Sequence, residues 1–421
     1  MFFTKENLVN LKYIIILYPL LLLTGPFVPD LILSLISLFY IIYITGNKDW
    51  KDFFKKKYNK IFFILYLIMI ISSLLSDYKL YSLKTSILYI RFIFFLNVII
   101  CIYKNDKDLF RNFCKINFFT LLFVSFDTIF QFYTGYNIIG LESRNEVRMG
   151  SFFGDELIVG SFLSRLFPFL IIYLFFFNQN IKILIKFAII FFVAIAIFLS
   201  GERTSFLYFL ISFFSMFFII KNKKLLIILS IVTLLISTYI FKKNINIYNR
   251  MVVQTFNQIY DIKSNNLFFF SKEHTVLSKI SIKMFKENKI LGVGPKNFRN
   301  VCYDNHEKYQ FLKEYKPDHY CSTHPHNIFF QFLSETGTIG TIFYLFFFVV
   351  MVIKFLQEIL KNQKNIKSIF LLISVIISTF PLAPSGQFFN NWLSILIFLN
   401  LGFLINNFKL ISIHSLKNSK I

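Results

Sequence analysis

Residues 183–200 read ILIKFAIIFFVAIAIFLS, and after the turn Gly201-Glu202-Arg203 a second apolar run continues to residue 220. Each run approaches the length of about 20 residues that a helix needs to cross a bilayer. A polar turn this short between two such runs predicts two neighbouring membrane helices joined at one membrane face. Because the same pattern recurs along the chain, this pair decides the fold class.

Twelve such runs predict an all-α polytopic membrane protein with about 12 transmembrane helices. The chain of 421 residues has a mean hydropathy of +0.62 and only 16% charged residues, whereas soluble domains have about 25%. Disorder is excluded because 56% of the residues are hydrophobic. The predicted helices span residues 12–24, 30–45, 61–76, 86–103, 116–133, 160–178, 183–200, 204–220, 225–241, 338–355, 366–381 and 388–407.

The formal net charge of +23 would ordinarily suggest a nucleic-acid partner. Here the basic residues lie in short clusters between the apolar runs, which is what membrane topology produces, so we expect no nucleic acid. In the termini and the short segments between predicted helices, 24 Lys and Arg residues fall on the side of the membrane that holds both termini. Only 6 fall on the opposite side. The positive-inside rule therefore predicts that both termini are cytoplasmic.

This topology divides the chain into three parts. Residues 1–241 hold nine membrane helices and an outside loop at 134–159, residues 242–326 form one long outside loop, and residues 327–421 hold three helices and a cytoplasmic tail. Long ordered loops tend to carry function. Cys302 and Cys321 both fall in the long loop, where either a disulfide or two free thiols is compatible with the sequence.

Charged residues gather at the predicted outer face. The stretch 142–165 contains Arg144, Arg148 and Arg165, and the turn between helices seven and eight contains Glu202 and Arg203. Ionisable groups at membrane depth are candidates for function. The alternative is an interfacial ion pair or a long side chain that reaches towards water.

The end of the long loop reads CSTHPHN over residues 321–327 and contains two of the six histidines, His324 and His326. A histidine titrates near neutral pH and suits general-base catalysis, although a helix cap or a surface position is the simpler explanation. No Cys/His/Asp set with zinc spacing surrounds the pair, so we predict no metal. The run Gly292-Val293-Gly294 lacks the spacing of a nucleotide-binding loop and predicts a tight turn.

The residues that follow carry a resemblance to a known family. His326-Asn327, nine further positions, Gly337, two positions and Gly340-Thr341 match the signature of bacterial O-antigen ligases and O-antigen polymerases. The turn at 292–298, the run at 201–204 and the run at 148–152 also resemble segments of that family, as does the long loop between helices nine and ten. The resemblance covers roughly residues 140–407.

The resemblance implies a glycosyltransferase of the bacterial inner membrane. Its donor would be an undecaprenyl diphosphate-linked glycan, and its acceptor lipid A–core, at the periplasmic face, without a metal or other cofactor. A base must take the acceptor proton and cations must stabilise the leaving diphosphate. The resemblance assigns the base to His326, the diphosphate contacts to Arg148 and Arg203, and further substrate contacts to Glu202, His324, Arg144, Arg165 and Asn327. Glu202 is expected to orient Arg203.

Other functions are compatible with parts of this pattern. A polymerase of the same family would transfer the glycan to a second lipid-linked glycan, and a further relative would transfer it to protein. A lipid-linked glycan flippase or another transporter would explain twelve helices, but it predicts repeated halves, which we do not detect. A membrane scaffold would leave His326 without a role. Membrane lipids are partners in each case.

Overall fold

A computed structural model describes residues 4–143, 147–220, 223–261, 266–267, 271–309, 320–361 and 364–418. The helices before the long loop are α1 Lys5–Asn10, α2 Lys12–Leu21, α3 Phe27–Gly46, α4 Trp50–Lys55, α5 Lys57–Leu74, α6 Lys79–Tyr89, α7 Arg91–Asn105, α8 Asp108–Thr134, α9 Val159–Ile172, α10 Ile183–Leu199, α11 Arg203–Ser215 and α12 Lys223–Lys243. Short 3-10 or π turns extend α2, α9 and α11 to residues 24, 177 and 218.

Short elements form the next part of the chain. They are α13 Ile245–Tyr248, a π turn Asn249–Val253, α14 Gln254–Ile259, the antiparallel two-residue strands β1 Tyr260–Asp261 and β2 Asn266–Leu267, α15 Lys272–Glu287, α16 Phe298–Asp304 and α17 His306–Tyr309. Three long helices end the chain, namely α18 Ile328–Leu360, α19 Ile366–Ser378 and α20 Asn391–Asn418.

The predicted membrane helices each coincide with a helix or a continuous helix pair. Among the described residues, nine helical stretches are long and apolar enough to cross a bilayer, and three shorter apolar helices are Ile183–Leu199, Arg203–Phe218 and Ile366–Ser378. The all-α polytopic fold class is therefore confirmed. The largest difference is at α18, which begins at Ile328 instead of the predicted 338. Its first turns include Gln331 and Glu335, which are fully buried and lower the hydropathy of the helix start.

The centre of the helix bundle is formed by α9, α19 and α20. Helix α9 packs against α8, α11 and α19, and α20 packs against α7 and α19. In α9 nearly every side chain is buried, including that of Arg165, which is 2% exposed. By contrast, α12 has few buried residues and lies at the edge of the bundle.

The long loop has a small hydrophobic core of its own. Its members come from α15, α16 and the flanking turns, and they are Val276, Leu277, Ile280, Met284, Val293, Phe298, Val301, Cys302, Tyr309, Tyr320 and Cys321. Cys302 and Cys321 form a disulfide, with their Cα atoms 5.4 Å apart and a sequence separation of 19. A bridge that closes a chain segment of this size stabilises the folded state by roughly 3 kcal/mol in the chain-entropy model.

Two glycines join this small core to the bundle. Gly337 interrupts the dihedral angles of α18 with a φ of 62°, and Gly292 has a φ of 68°. A Cβ on Gly337 would lie 2.5 Å from the Ile290 carbonyl, and one on Gly292 would lie 2.5 Å from backbone atoms of Glu335. Only glycine permits both the left-handed backbone and so close an approach.

Backbone hydrogen bonds complete this junction. The N–H groups of Val293 and Gly294 donate to the carbonyls of Ser334 and Glu335 at 2.9 and 3.0 Å. In the other direction, the Thr338 N–H donates to the Lys289 carbonyl at 2.8 Å. The kink in α18 therefore leaves N–H and carbonyl groups of the helix without partners inside the helix. The turn at 289–294 supplies their hydrogen-bond partners. We call this contact the glycine junction.

Replacement of Gly337 by alanine should break the glycine junction. A side chain at this position meets both the left-handed backbone and the Ile290 carbonyl, so we expect the free energy of unfolding to fall by about 2 kcal/mol or more. Equilibrium unfolding of the purified protein in mixed micelles measures this change. Gly46→Ala is the matched control, because a Cβ there has nothing within 4 Å. Equal stability of the two variants would contradict the assignment.

Candidate active site

His326 lies between the long loop and α18, beside two other histidines. Its ring centroid is 4.1 Å from that of His324 and 6.1 Å from that of His274. His274 belongs to the first turn of α15, so the start of one helix meets the start of another. The predicted histidine pair is thus part of a group of three, which we call the histidine cluster.

The backbone of His326 is held in an unusual conformation. Its φ of 52° is left-handed, which costs a residue other than glycine about 1–2 kcal/mol. The Ser385 N–H donates to the His326 carbonyl at 2.8 Å, and the His326 Nε2 atom lies 2.9 Å from the Ser322 hydroxyl. These two contacts fix the position of the imidazole before any ligand binds.

Asn327 anchors His326 from its other side. Its Oδ1 atom accepts the Phe330 N–H at 3.1 Å and caps α18, while its Nδ2 atom donates to the carbonyls of Pro381 and Ala383 at 2.8 and 3.3 Å. Because both ends of this amide have partners within the chain, the contacts support a positioning role. The predicted contact of Asn327 with substrate stays a prediction.

Ser385 connects the histidine cluster to the buried Arg165 of α9. The Arg165 Nη2 atom donates to the Ser385 hydroxyl at 3.1 Å, and the His324 Nε2 atom lies 3.3 Å from the Ser385 carbonyl. The other ring nitrogen of His324 is 2.9 Å from the Thr323 hydroxyl. Arg165 also lies over the Tyr208 ring, 5.0 Å from its centroid. Arg165 therefore sits beneath the histidines, inside the bundle.

Arg148 is carried by a loop that α8 holds in place. The buried Asp127 accepts hydrogen bonds from the Ser151 hydroxyl and from the Ile138 N–H, the latter at 2.8 Å. The neighbouring Gln131 accepts the Ser151 N–H at 2.8 Å. Arg148 itself donates from Nη2 to the Leu157 carbonyl at 3.1 Å. The loop is thus an ordered support for this guanidinium group.

Gly201 brings the Arg148 loop against the turn that carries Arg203. Its φ is 68°, and a Cβ on it would collide with the Val147 carbonyl and lie 3.2 Å from the Arg148 Cγ atom. A larger residue would separate the two segments. Arg148 and Arg203, which are 55 positions apart in the sequence, are therefore neighbours in the fold.

A third arginine joins these two. Arg203 donates to the Thr255 hydroxyl at 3.0 Å and to the Gln258 Oε1 atom at 2.6 Å, which ties α11 to α14. Arg250 lies in the π turn before α14, where burial and the charges of Arg203 and Arg148 lower its pKa to about 10. We call Arg148, Arg203 and Arg250 the arginine cluster.

The arginine cluster retains unused hydrogen-bond donors. Among the described residues, the buried Nε atoms of Arg148, Arg250 and the nearby Arg165 have no hydrogen-bond partner. Buried donors without partners are costly, and like charges held together repel. Both costs are offset when an anion with several oxygen atoms binds.

Among the described residues, Glu202 forms no hydrogen bond with Arg203, contrary to the expectation that it orients this arginine. Its carboxylate accepts the N–H groups of Gly160 and Ser161 at 2.7 and 3.2 Å and the Ser205 hydroxyl at 2.9 Å. Glu202 therefore caps the N-terminus of α9, where the helix dipole favours a negative charge. Burial raises its pKa, and the hydrogen bond from Ser205 opposes that rise. Its predicted contact with substrate stays a prediction.

The histidine cluster is held in its neutral form. Burial, together with the nearby His274, lowers the pKa of His326 to about 4. Burial and the neighbouring His326 lower the pKa of His324 well below its usual range. Burial also lowers the pKa of His274; Glu273 opposes this, and Arg203 adds to it. Because the charge of Arg203 contributes to this shift, Arg203 lies near His274.

The structure does not test the predicted role of Arg144 or the predicted independence from metal. Arg144 lies outside the described residues. Within the described ranges, no three His, Cys, Asp or Glu side chains are grouped so as to hold a metal ion. The expected independence from metal stays a prediction.

Three residues of the site were missed by sequence reasoning. Arg250 and His274 lie in the long loop, where basic residues carry no topological signal and where periodicity is weak. Their only signal was their chemistry, as an arginine and one of six histidines in a segment expected to carry function. Ser385 gave no signal, because a serine in a loop is ordinary and its role depends on tertiary contacts.

A comparison with known protein families found a match, which covers part of the site. A family model described as O-antigen ligase matches residues 187–345. The matched segment contains Arg203, Arg250, His274 and His326, whereas Arg148, Arg165 and Ser385 lie outside it. No curated protein matches the chain. This match supports the resemblance to the O-antigen ligase family that the sequence motif indicated.

Proposed function

We propose that this multi-pass membrane protein transfers a glycan from undecaprenyl diphosphate to lipid A–core on the periplasmic face of the bacterial inner membrane. The family supports a membrane glycosyltransferase of the ligase or polymerase type. The observation that carries the finer proposal is that buried arginines lie beside the histidine cluster: Arg165 is linked to His324 through Ser385, and the charge of Arg203 acts on His274.

The arginine cluster suits the leaving group of this reaction. As the bond between the anomeric carbon and the diphosphate oxygen breaks, negative charge grows on that oxygen. Guanidinium groups remain charged at neutral pH and bind phosphate oxygens through two donors at once. Arg148, Arg203 and Arg250 come from three different segments of the chain, so they can surround a diphosphate from several directions. Stabilisation of this developing charge lowers the barrier to transfer.

The histidine cluster suits the acceptor. The acceptor hydroxyl oxygen attacks the anomeric carbon, and its proton passes to the imidazole of His326. The Ser322 hydroxyl lies 2.9 Å from Nε2, so the acceptor hydroxyl must take its place or approach the other ring nitrogen. The His324 ring packs against that of His326 at a tilt of 46°. The protonated base is stabilised by the negative charge of the diphosphate released beside it.

Transfer by the purified protein in nanodiscs tests this proposal. The donor is an undecaprenyl diphosphate glycan, and lipid A–core or no added acceptor is offered in parallel, with EDTA present. We expect glycosylated lipid A–core, and a loss of at least about a hundredfold in the rate with His326→Ala, because a general base contributes about 10²–10⁴-fold.

The matched control for this experiment is His306→Ala. His306 is an exposed histidine of the same loop, outside the histidine cluster, so its variant should keep the full rate. Growth of the glycan on the donor alone would identify a polymerase instead. An unchanged rate with His326→Ala would refute the proposed base whatever the product.

Arg250 provides a sharper test, because its sequence context did not suggest a role. We expect Arg250→Gln to lower kcat/KM for donor about 10²–10³-fold, since one stabilising donor contributes about that much to such reactions. Arg111→Gln, at an exposed arginine of α8, should leave kcat/KM unchanged. The rate of transfer, measured at several donor concentrations, gives kcat/KM for each variant. A full rate in Arg250→Gln would remove this residue from the site.

The pH dependence tests the state of the base. A lowered pKa keeps His326 neutral, and hence able to accept a proton, at pH values below the usual histidine range. We therefore expect kcat/KM to stay level from neutral pH down to about pH 5 and to fall with a midpoint near 4. A midpoint near 6.5, the ordinary histidine value, would contradict the burial of the base.

A further inference from the structure

Basic and aromatic side chains gather where α3 is connected to α5, far in sequence from the residues of the proposed reaction. The connection between these two membrane helices contains α4, and together with the first turn of α5 it holds six lysines and two aspartates between residues 48 and 60. An open cleft of about 460 Å³ lies here, and it is lined by Trp50, Lys51, Phe54, Lys55 and Lys60.

Helix α4, which carries four of the five lining residues, packs against the bundle. The buried Phe53 stacks on Phe94 of α7 with ring centroids 5.3 Å apart. Asn59 and Asn97 exchange hydrogen bonds of 3.2 and 2.6 Å, and Lys56 donates to the same Asn97 side chain at 3.2 Å. Because these contacts fix α4, they also fix the positions of the side chains that line the cleft.

The cations around the cleft are largely unneutralised. Within the described residues, neither Lys51 nor Lys60 forms an ion pair, and Lys55 pairs with Asp52 at 3.5 Å in an exposed contact. An exposed pair of this kind contributes little and exchanges readily for another anion. The cleft thus presents three lysines together with the aromatic rings of Trp50 and Phe54.

The surface that continues from the cleft is apolar. Ile64, Leu67 and Ile71 follow Lys60 on one face of α5, at helical spacing, and their side chains are 44–51% exposed. A phosphate bound at Lys60 would therefore stand at the head of an apolar stripe that runs along a membrane helix. Free phosphate makes no use of this stripe, whereas the acyl chain of a lipid packs against it.

We propose that the cleft binds the phosphate headgroup of an anionic phospholipid, with one acyl chain lying along Ile64, Leu67 and Ile71. The lysines supply charge and Trp50 supplies the aromatic ring that favours the headgroup region. Under the positive-inside topology this lipid belongs to the cytoplasmic leaflet, where anionic lipids attract basic segments. The site is independent of the proposed glycan transfer, so each can fail without the other.

Native mass spectrometry of the full-length protein in detergent tests this site. Phosphatidylglycerol and phosphatidylcholine with the same acyl chains are titrated in parallel, and we expect phosphatidylglycerol to bind at least about fivefold more tightly. The variant K51Q/K55Q/K60Q should lose this preference, since each basic residue near an anionic lipid surface contributes a factor of about five. All three lysines are exposed, so folding should be preserved.

The matched control replaces three exposed lysines of the same predicted membrane face, as K107Q/K115Q/K354Q, and should keep the preference. Equal binding of the two lipids, or the same loss in the control variant, would overturn the proposal. Glycerol phosphate is offered as a competitor without acyl chains. Displacement of phosphatidylglycerol at equal concentration would show an anion site that does not recognise a lipid, and would also overturn it.

Discussion

The glycine junction, in which Gly292 packs against Glu335 and Gly337 packs against Ile290, fixes the long loop to the helix bundle. It lets the turn before α16 dock in the kink of α18, where Glu335 accepts the N–H groups of Lys296 and Phe298 at 3.0 and 3.3 Å. Helix α15 ends just before this turn, so its position is fixed as well. The start of α15 then carries His274 to His326 at the start of α18. The glycine junction, near the end of α15, thus determines that His274 at the start of α15 meets His326 at the start of α18.

The signature seen in the sequence has a structural explanation at nearly every position. Asn327 caps α18, Gly337 forms the kink, and Gly340 leaves room for the Thr336 side chain, with which a Cβ would collide. Thr341 donates to the Gly337 carbonyl at 2.7 Å. The spacing is therefore that of one helix interrupted once. Of these residues only His326 has a side chain suited to proton transfer, so the motif is mostly a device for placing it.

Much of the fold and part of the site could be predicted, for different physical reasons. Membrane helices follow from local hydropathy, so the helix positions agree well with the sequence. Arg148, Arg203 and His326 stood out because charged groups are rare in such a chain. Arg250, His274 and Ser385 owe their roles to contacts between distant segments, which no local pattern encodes. The Glu202 expectation failed because adjacency in sequence suggested a pair, whereas Glu202 precedes α11 and caps α9 instead.

This placement of Glu202 matters for the electrostatics of the whole site. Had its carboxylate paired with Arg203, it would have screened the charge that a diphosphate needs. By accepting the N–H groups at the N-terminus of α9, Glu202 stabilises the scaffold and leaves Arg203 to its contacts with Thr255 and Gln258, while its charge still acts on Arg148. Burial and the neighbouring His274 lower the pKa of His326, so the base stays neutral in the empty enzyme. Binding of the proposed donor would cancel much of the positive charge of the arginine cluster and make His326 more basic. The imidazole would thus become a stronger proton acceptor at the moment when the leaving group is in place.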